Sequence, residues 1–305
     1  MTLLLQVLVG AVRGGTSILY AALGETLSER AGVINLGTEG CMLVGALSAY
    51  AVTAKTGNPW VGVVAGAIAG GLLALIHAVL VLSRKANQLA TGLVVLFLGL
   101  GLTSLFGASY VRESINAFKP VAIPGLSSIP WLGDIFFDHD PLTYLSYAVG
   151  PAMWWLLYRS RWGLLVRAAG EREEVLAAYG HSPLRVKYLA VCGGGALAGV
   201  GGAQLATAYT NAWFENMTAG RGFIAVALVI FAAWHPLKCV TGAYLFGAAL
   251  ALSPALQARG IGINQFALDA LPYVVTVFVL IFLGRKRLHA APEGLRKVFE
   301  MAPTS

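Results

Sequence analysis

Residues 60–82 read WVGVVAGAIAGGLLALIHAVLVL, twenty-three positions whose only titratable side chain is a histidine. As a helix rising 1.5 Å per residue, such a run covers about 34 Å, enough to cross a hydrocarbon core of about 30 Å. Pro59 precedes it, at a first helical position where a missing N–H costs little. Gly62, Gly66 and Gly70 fall four apart on one face, a small-residue stripe that lets a second helix approach closely in lipid. Gly195 and Gly199 make another such stripe. Helix packing is the expected role of both, and His77 is expected to pack or to hydrogen-bond between helices.

Similar runs recur along the chain. They predict helices over 3–24, 36–54, 60–82, 88–110, 141–158, 188–210, 221–235, 238–258 and 268–284. Only 11% of the 305 residues are charged and 57% are hydrophobic, against about 25% charged in an average soluble domain. The mean hydropathy is +0.73. A soluble fold of this size could not cover its surface with so few charges. The expectation is an all-α, polytopic integral membrane protein of about nine transmembrane helices (eight to ten), forming one transmembrane domain over 1–305.

The net charge of +7 does not point to nucleic acid, because the basic residues sit in the connections between apolar runs. Lysine and arginine in such connections set topology. With the C-terminus inside, the inner side carries fifteen of them and the outer side five, Arg13 being within the first helix. A multi-pass protein of the cytoplasmic (inner) membrane with a cytoplasmic tail over 285–305 is expected. Cys41, Cys192 and Cys239 suit neither a disulfide framework nor a metal site. The N-terminus lacks a basic stretch and a small-residue cleavage pattern, so it reads as a retained first helix. Trp154, Trp155 and Trp213 near helix ends read as interface anchors.

Two connections are too long for tight turns. Residues 111–140 carry Pro120, Pro124 and Pro130 and end at Pro141, so no continuous helix can form there. They are expected as an extracytoplasmic lid. Residues 159–187 are expected inside, where EREEVLAAYG reads as a short charged helix stopped by Gly180 and Pro183.

Two other stretches break the apolar pattern. SERAGVINLGTEG, residues 28–40, separates the first two runs, and ENMTAGRG precedes FIAVALVIFAAW, residues 223–234. Twelve residues cover only about 18 Å as a helix, short of a full crossing. Glycine-interrupted segments at matching places in two halves point to a substrate path in transporters, since loosened backbone is tolerated at membrane depth only against protein or a water-filled cavity. Glu25, Glu29, Asn35 and Glu39, with Asn216 and Arg221 from the second break, are the candidate residues of a translocation path. Each carboxylate has an equally simple reading as a helix-end or surface group.

No phosphate loop, HExxH, CxxC or GxSxG pattern occurs, so neither an enzyme nor a resident metal is expected. GETLSERAGVINLGTEGCMLVGA resembles the N-terminal motif of permease subunits of ABC importers for nucleosides and simple sugars, the ribose-permease-like class of the branched-chain amino acid permease superfamily. The resemblance continues through IPGLSSIPWLGDIFF, WGLLVRAAGEREEVLAAYG, NMTAGRGFIAVALVIFAAWHP and LPYVVTVFVLIFLGRKR, and is strongest to the shorter of two permeases in nucleoside uptake systems. It implies a heterodimeric permease core with a second, different permease, cytoplasmic ATPase subunits that bind ATP and magnesium, an extracytoplasmic solute-binding protein or lipoprotein, and no cofactor in this chain. It also implies that the 159–187 loop couples to the ATPase through Gly170, Glu171, Glu174, Ala177, Ala178 and Gly180. The alanines are displaced from the glutamate relative to the family's usual E-A-A pattern. A simple-sugar permease is the near alternative. An ion-coupled carrier is the remoter one, and it would need a paired carboxylate facing the membrane interior.

Overall fold

The computed structural model describes residues 2–111, 113–260, 270, 271, 274, 277 and 291–300. Its helices are α1 (Leu3–Arg30), α2 (Thr38–Thr56), α3 (Pro59–Ala78), α4 (Gln88–Gly107), α5 (Leu132–Phe136), α6 (Pro141–Arg159), α7 (Arg161–Glu171), α8 (Glu173–Ala178), α9 (Pro183–Gln204), α10 (Arg221–Phe231), α11 (Pro236–Gln257) and α12 (Glu293–Glu300). Single π turns extend α3 over Val79–Ser83 and α9 over Leu205–Tyr209. Among the described residues, strand is confined to β1 (Val121–Ala122) and β2 (Asp138–His139), which pair antiparallel.

Among the described residues, five helices are long and apolar enough to cross a membrane: α1, α3 and α9 with the π turns of the latter two, α4 with the short turn that follows it, and α11. The helices α2 and α6 have 19 residues each. The run predicted over 268–284 and the tail over 285–290 fall almost wholly outside the described residues.

The bundle is organised around α1, whose side chains are buried almost without interruption from Ala11 to Glu29. It runs between α9 and α11, while α9 in turn packs on α2 and α3. The glycine stripes do pack helices. A Cβ on Gly66 would come within 2.7 Å of the Gly45 carbonyl oxygen, and one on Gly70 would strike that of Gly195. Backbone contact of this kind gives lipid-embedded helices dispersion energy that side chains would prevent. By contrast Val64, Ile68 and Leu72 of α3, with Val94, Phe97 and Leu105 of α4, stay exposed in the single chain.

Three sequence expectations change. The helix predicted from residue 188 begins at Pro183, within the stretch assigned to the inner connection, with Ser182 as its cap. The first helix does not stop at residue 24 but continues to Arg30. Glu25, Ser28 and Glu29 remain helical because partners within the chain replace the water they lose, as described below. Trp213 is not an interface anchor: it is buried, against Gly107 of α4.

The connection over 111–140 is tied down at its C-terminal side. Asp140 caps α6 by accepting the Leu142 and Thr143 amides, each at 3.0 Å. The His139 Nε2 donates to the Ile135 carbonyl at 2.7 Å, and burial holds this imidazole's pKa below its ordinary value. The ring therefore stays neutral, a structural tie between β2 and α5.

Candidate functional site: two broken segments joined by carboxylates

The first break is short, residues 31–37; the amides of residues 31–33 return to backbone carbonyls of α1, and the backbone at Ile34 and Asn35 meets side chains from other elements. The Asn35 amide donates to Glu25 Oε1 at 2.7 Å, and the Thr38 hydroxyl lies 2.8 Å from Glu25 Oε2. The Ile34 amide donates to Gln88 Oε1 at 2.9 Å, and its carbonyl accepts from His77 Nε2 at 3.0 Å. His77 is thus an interhelical hydrogen-bonding residue. Asn35 turns its own side chain back, accepting the Gly37 amide at 2.9 Å. A buried amide left without a partner costs about 1 to 3 kcal/mol, which is why a stretch able to loosen here needs this many polar neighbours.

The second break is longer. After Tyr209 the chain leaves helix geometry and re-enters it at Arg221. Trp213 sits beside Gly107, near the end of α4, whereas Gly222 lies against Glu39 and Gly40 lies against Gly99. Gly99 and Gly107 are eight residues apart on α4, about 12 Å along the helix axis. Residues 213–220 therefore descend from one end of the bundle toward its middle without a helix, and α10 continues the crossing.

Glu39 joins the two breaks. Its Oε1 accepts the Thr218 hydroxyl at 2.5 Å and the Gly220 amide at 2.8 Å, and its Oε2 accepts the Gly222 amide at 2.5 Å. These are amides at the start of α10, where a carboxylate satisfies orphan donors and opposes the helix dipole. Gly220, the residue before the helix, has φ +81°, a left-handed conformation that glycine adopts without strain.

The other end of α10 is held by α1. Glu29 accepts the Trp234 indole N–H. Arg30 donates through Nε to the Trp234 carbonyl at 3.0 Å, and through a terminal nitrogen to the Tyr158 hydroxyl at 2.9 Å. A cation at a helix C-terminus is the favourable sign. The half-helix is strung between Glu39 and the Glu29–Arg30 pair.

The six path candidates thus divide. Glu25, Glu29, Asn35 and Glu39 are all at most 3% exposed and are engaged within the chain. Asn216 is exposed and Arg221 half-buried. The Arg221 guanidinium donates to the Met217 and Thr218 carbonyls, each at 3.2 Å, and lies 6.0 Å over the Tyr209 ring. Glu25 and Glu29 are one helical turn apart. Spacing alone could not show that Glu39 reaches residues 218–222, or that Arg30 and Trp234 end the same half-helix.

The 159–187 loop forms α7 and α8 at the Arg30 end. Gly170 packs directly on this end of the first break: a Cβ there would strike the Arg30 carbonyl and lie 3.0 Å from the Gly32 nitrogen. Glu171, Glu174, Ala177 and Ala178 line the exposed tip, with Val175 47% and Tyr179 80% exposed. Gly180 ends α8 with φ +78°, its amide donating to the Ala177 carbonyl and that of His181 to the Leu176 carbonyl. This is a Schellman stop, which favours glycine at that position. Lys187, largely buried, donates to Glu173 and ties α9 to α8.

The family model described as the branched-chain amino acid transport system/permease component matches residues 7–284, and the chain belongs to that family. It is 42% identical to a protein of Haloferax volcanii provisionally named as the glucose ABC transporter permease TsgC13, over 89% of each chain. It is 32% identical to the guanosine ABC transporter permease protein NupQ of Bacillus subtilis, over 88% of this chain and 89% of that one. It is also 32% identical to the nucleoside ABC transporter permease protein NupC of Lactococcus lactis, over 88% and 90%. No solved structure matches the chain significantly. The protein is a multi-pass permease of the cytoplasmic membrane, from a family of transporter components and not of enzymes. Such a component works in a transport system with ATPase and solute-binding subunits.

Proposed function

We propose that this permease is one of two different membrane subunits of an ABC importer that moves nucleosides inward by alternating access, with ATP and magnesium bound by separate ATPase subunits. The nucleoside assignment rests on the names of two relatives that align with nearly the whole chain. The full topology in this reading is about nine membrane crossings, with the run over 268–284 as the last, residues 111–140 outside, and 159–187 and the C-terminus in the cytoplasm.

One observation carries the mechanism: the discontinuous crossing 210–234 is fastened at both ends of its half-helix by residues flanking the other break. Alternating access needs an element with two arrangements that energy input can bias. Movement of the α7–α8 loop on the ATPase would reach Arg30 and Gly32 through Gly170, and from there α10. Glu25, Glu29, Asn35 and Glu39 form the braced side of the path in this scheme. Asn216 and Arg221 lie on its open side.

Reconstitution tests the reading. The chain with its partner permease, ATPase and binding protein should import a labelled nucleoside only with ATP. Uptake by the isolated chain, insensitive to ATP, would overturn it.

A simple-sugar importer is the second reading, favoured by the name of the relative at 42% identity. An ion-coupled carrier would draw on the buried Glu25–Glu29 pair. Glu25, however, fastens the Asn35 amide and Glu29 holds the Trp234 indole through Oε2, and import should persist when the proton gradient is collapsed.

A further inference from the structure

The 159–187 loop contains a joint. Arg172, between α7 and α8, has φ −147° and ψ 98°, an extended residue at which the two helices are not continuous. It borders a polar cleft of about 430 Å³ walled by Gly32, Gln88, Gly170 and Lys187 and, from α12, by Glu293 and Gly294. Close-packed interiors transmit strain, whereas an unfilled space has no atoms to pass it on. A displacement of α8 would be absorbed at Arg172, beside this cleft, before it reached Gly32 of the first break.

Residues 291–296 bridge the joint. A Cβ on Gly294 would lie 3.0 Å from the Gly170 carbonyl oxygen and 3.5 Å from Gly32 Cα, so α12 meets α7 and the first break at a single point. Leu295 is fully buried and Ala291 is 2% exposed. Both belong to the same buried cluster as Val166 and Ala169 of α7 and Leu176 of α8, which places apolar packing on either side of Arg172. Glu293 fastens the joint itself. Its amide donates to the Glu171 carboxylate at 3.2 Å, and its own carboxylate lies 3.5 Å from Arg172 Nε. An acidic partner suits an orphan amide at the start of a helix. Glu171, grouped by the resemblance with the ATPase-coupling residues, therefore has a partner inside the chain.

Resting on the importer reading above, we infer that residues 291–296 brace this joint. They make α7, α8 and the Gly32 turn move together, so that ATP-driven displacement of the exposed tip reaches the first break. Leu295 and Glu293 are positioning residues in this role.

The test uses the complete transporter in proteoliposomes with saturating binding protein. It reads labelled adenosine or glucose, whichever the wild type carries, imported per ATP hydrolysed. Leu295→Ala should lower that ratio about fivefold, the scale of a coupling change along a packed network, while hydrolysis persists and the ATPase is still captured in a pull-down. Leu295→Met, which nearly keeps the volume, should keep the ratio. Glu293→Arg and Arg172→Glu should each lower it, and the double exchange should restore it. An unchanged ratio in Leu295→Ala overturns the brace. So does a loss of hydrolysis and import in step in assembled transporter, which a purely structural role explains. If Leu295→Ala does not assemble, the charge exchanges decide, and singles without effect or a double without restoration overturn the brace. Cross-linking the Glu293→Cys, Arg172→Cys double variant with a short bis-thiosulfonate separates a brace from a latch. Restoration of the ratio supports the brace; import that stops while hydrolysis continues shows that the segment must release, and overturns it. If the wild type shows no ATP-dependent import of either solute, the importer reading itself fails, a result distinct from a variant that hydrolyses ATP without import.

Discussion

The carboxylate of Glu39 accepts the amide of Gly222 at 2.5 Å, across 183 residues of sequence. Glu39 opens α2 at the end of the first break, and Gly222 opens α10 at the end of the second. One side chain therefore sets the separation of the two irregular segments.

Removing that side chain strands three donors: the Thr218 hydroxyl and the amides of Gly220 and Gly222. Each buried unsatisfied donor costs about 1 to 3 kcal/mol. Glu39→Ala is expected to lower the melting temperature of the detergent-purified transporter markedly and to abolish import. Glu39→Gln, which keeps one carbonyl acceptor, should fall between Ala and wild type. Equal melting temperatures for all three would remove Glu39 from this role.

Gly222 has no room for a side chain. A Cβ there would lie 2.5 Å from Glu39 Cα and 2.6 Å from its nitrogen, and these are backbone atoms that cannot rotate away. Gly222→Ala should displace α10 and stop import even in transporter that reaches the membrane, as read by uptake alongside immunodetection. Normal uptake by this variant would mean that the approach of α10 to α2 is not needed for transport.

The two asparagines call for different substitutions. Asn216 has φ +54°, a left-handed conformation that asparagine tolerates better than most residues, so Leu there would confound strain with lost chemistry. Asn216→Gly keeps the backbone and removes only the amide; reduced flux with unchanged basal ATPase is expected. Asn35→Leu, in contrast, frees the Gly37 amide and should lower stability together with flux. Unchanged flux in both would confine these residues to backbone roles.

At the coupling tip a Cβ on Gly180 meets no atom within 4 Å, so the cost of Gly180→Ala comes from its φ of +78° and should be about 1 kcal/mol. A bulkier Gly180→Leu alters the surface beside Tyr179 and should uncouple ATP hydrolysis from uptake while membrane insertion is normal. Tyr179→Ala should weaken ATPase capture in a pull-down without changing the melting temperature of the permease. Undisturbed coupling in both would move the contact elsewhere on the loop.

Arg30 tests the far end of α10. Arg30→Lys keeps the charge but not the two-directional donation to the Trp234 carbonyl and the Tyr158 hydroxyl, because an ammonium lacks the guanidinium's planar fork. Import should fall several-fold while ATPase binding persists. Full activity with lysine would show that charge alone suffices there.

Hydrophobic run length, glycine punctuation and the placement of lysine and arginine are local properties, and the membrane makes local properties decisive. A segment of 23 apolar residues has few stable options in a bilayer. The predicted helices that lie within the described residues, the two breaks and the charged loop ending at Gly180 were accordingly legible in the chain alone, to within a few residues at most boundaries. Boundaries moved at 183–187, where α9 starts at Pro183 under a Ser182 cap, and at 25–30, where the cause was tertiary: the dehydration cost that should have ended α1 is offset by Asn35, Thr38 and Trp234. The sequence marked Glu25, Glu29, Asn35, Glu39, Asn216 and Arg221 as polar residues out of place among apolar ones. Only the fold divided them into a buried set that holds the first break and the ends of α10, a half-buried Arg221 and an exposed Asn216. Hydrogen bonds spanning about 180 residues leave no periodic trace in a sequence, and burial depends on which helix lies across the gap.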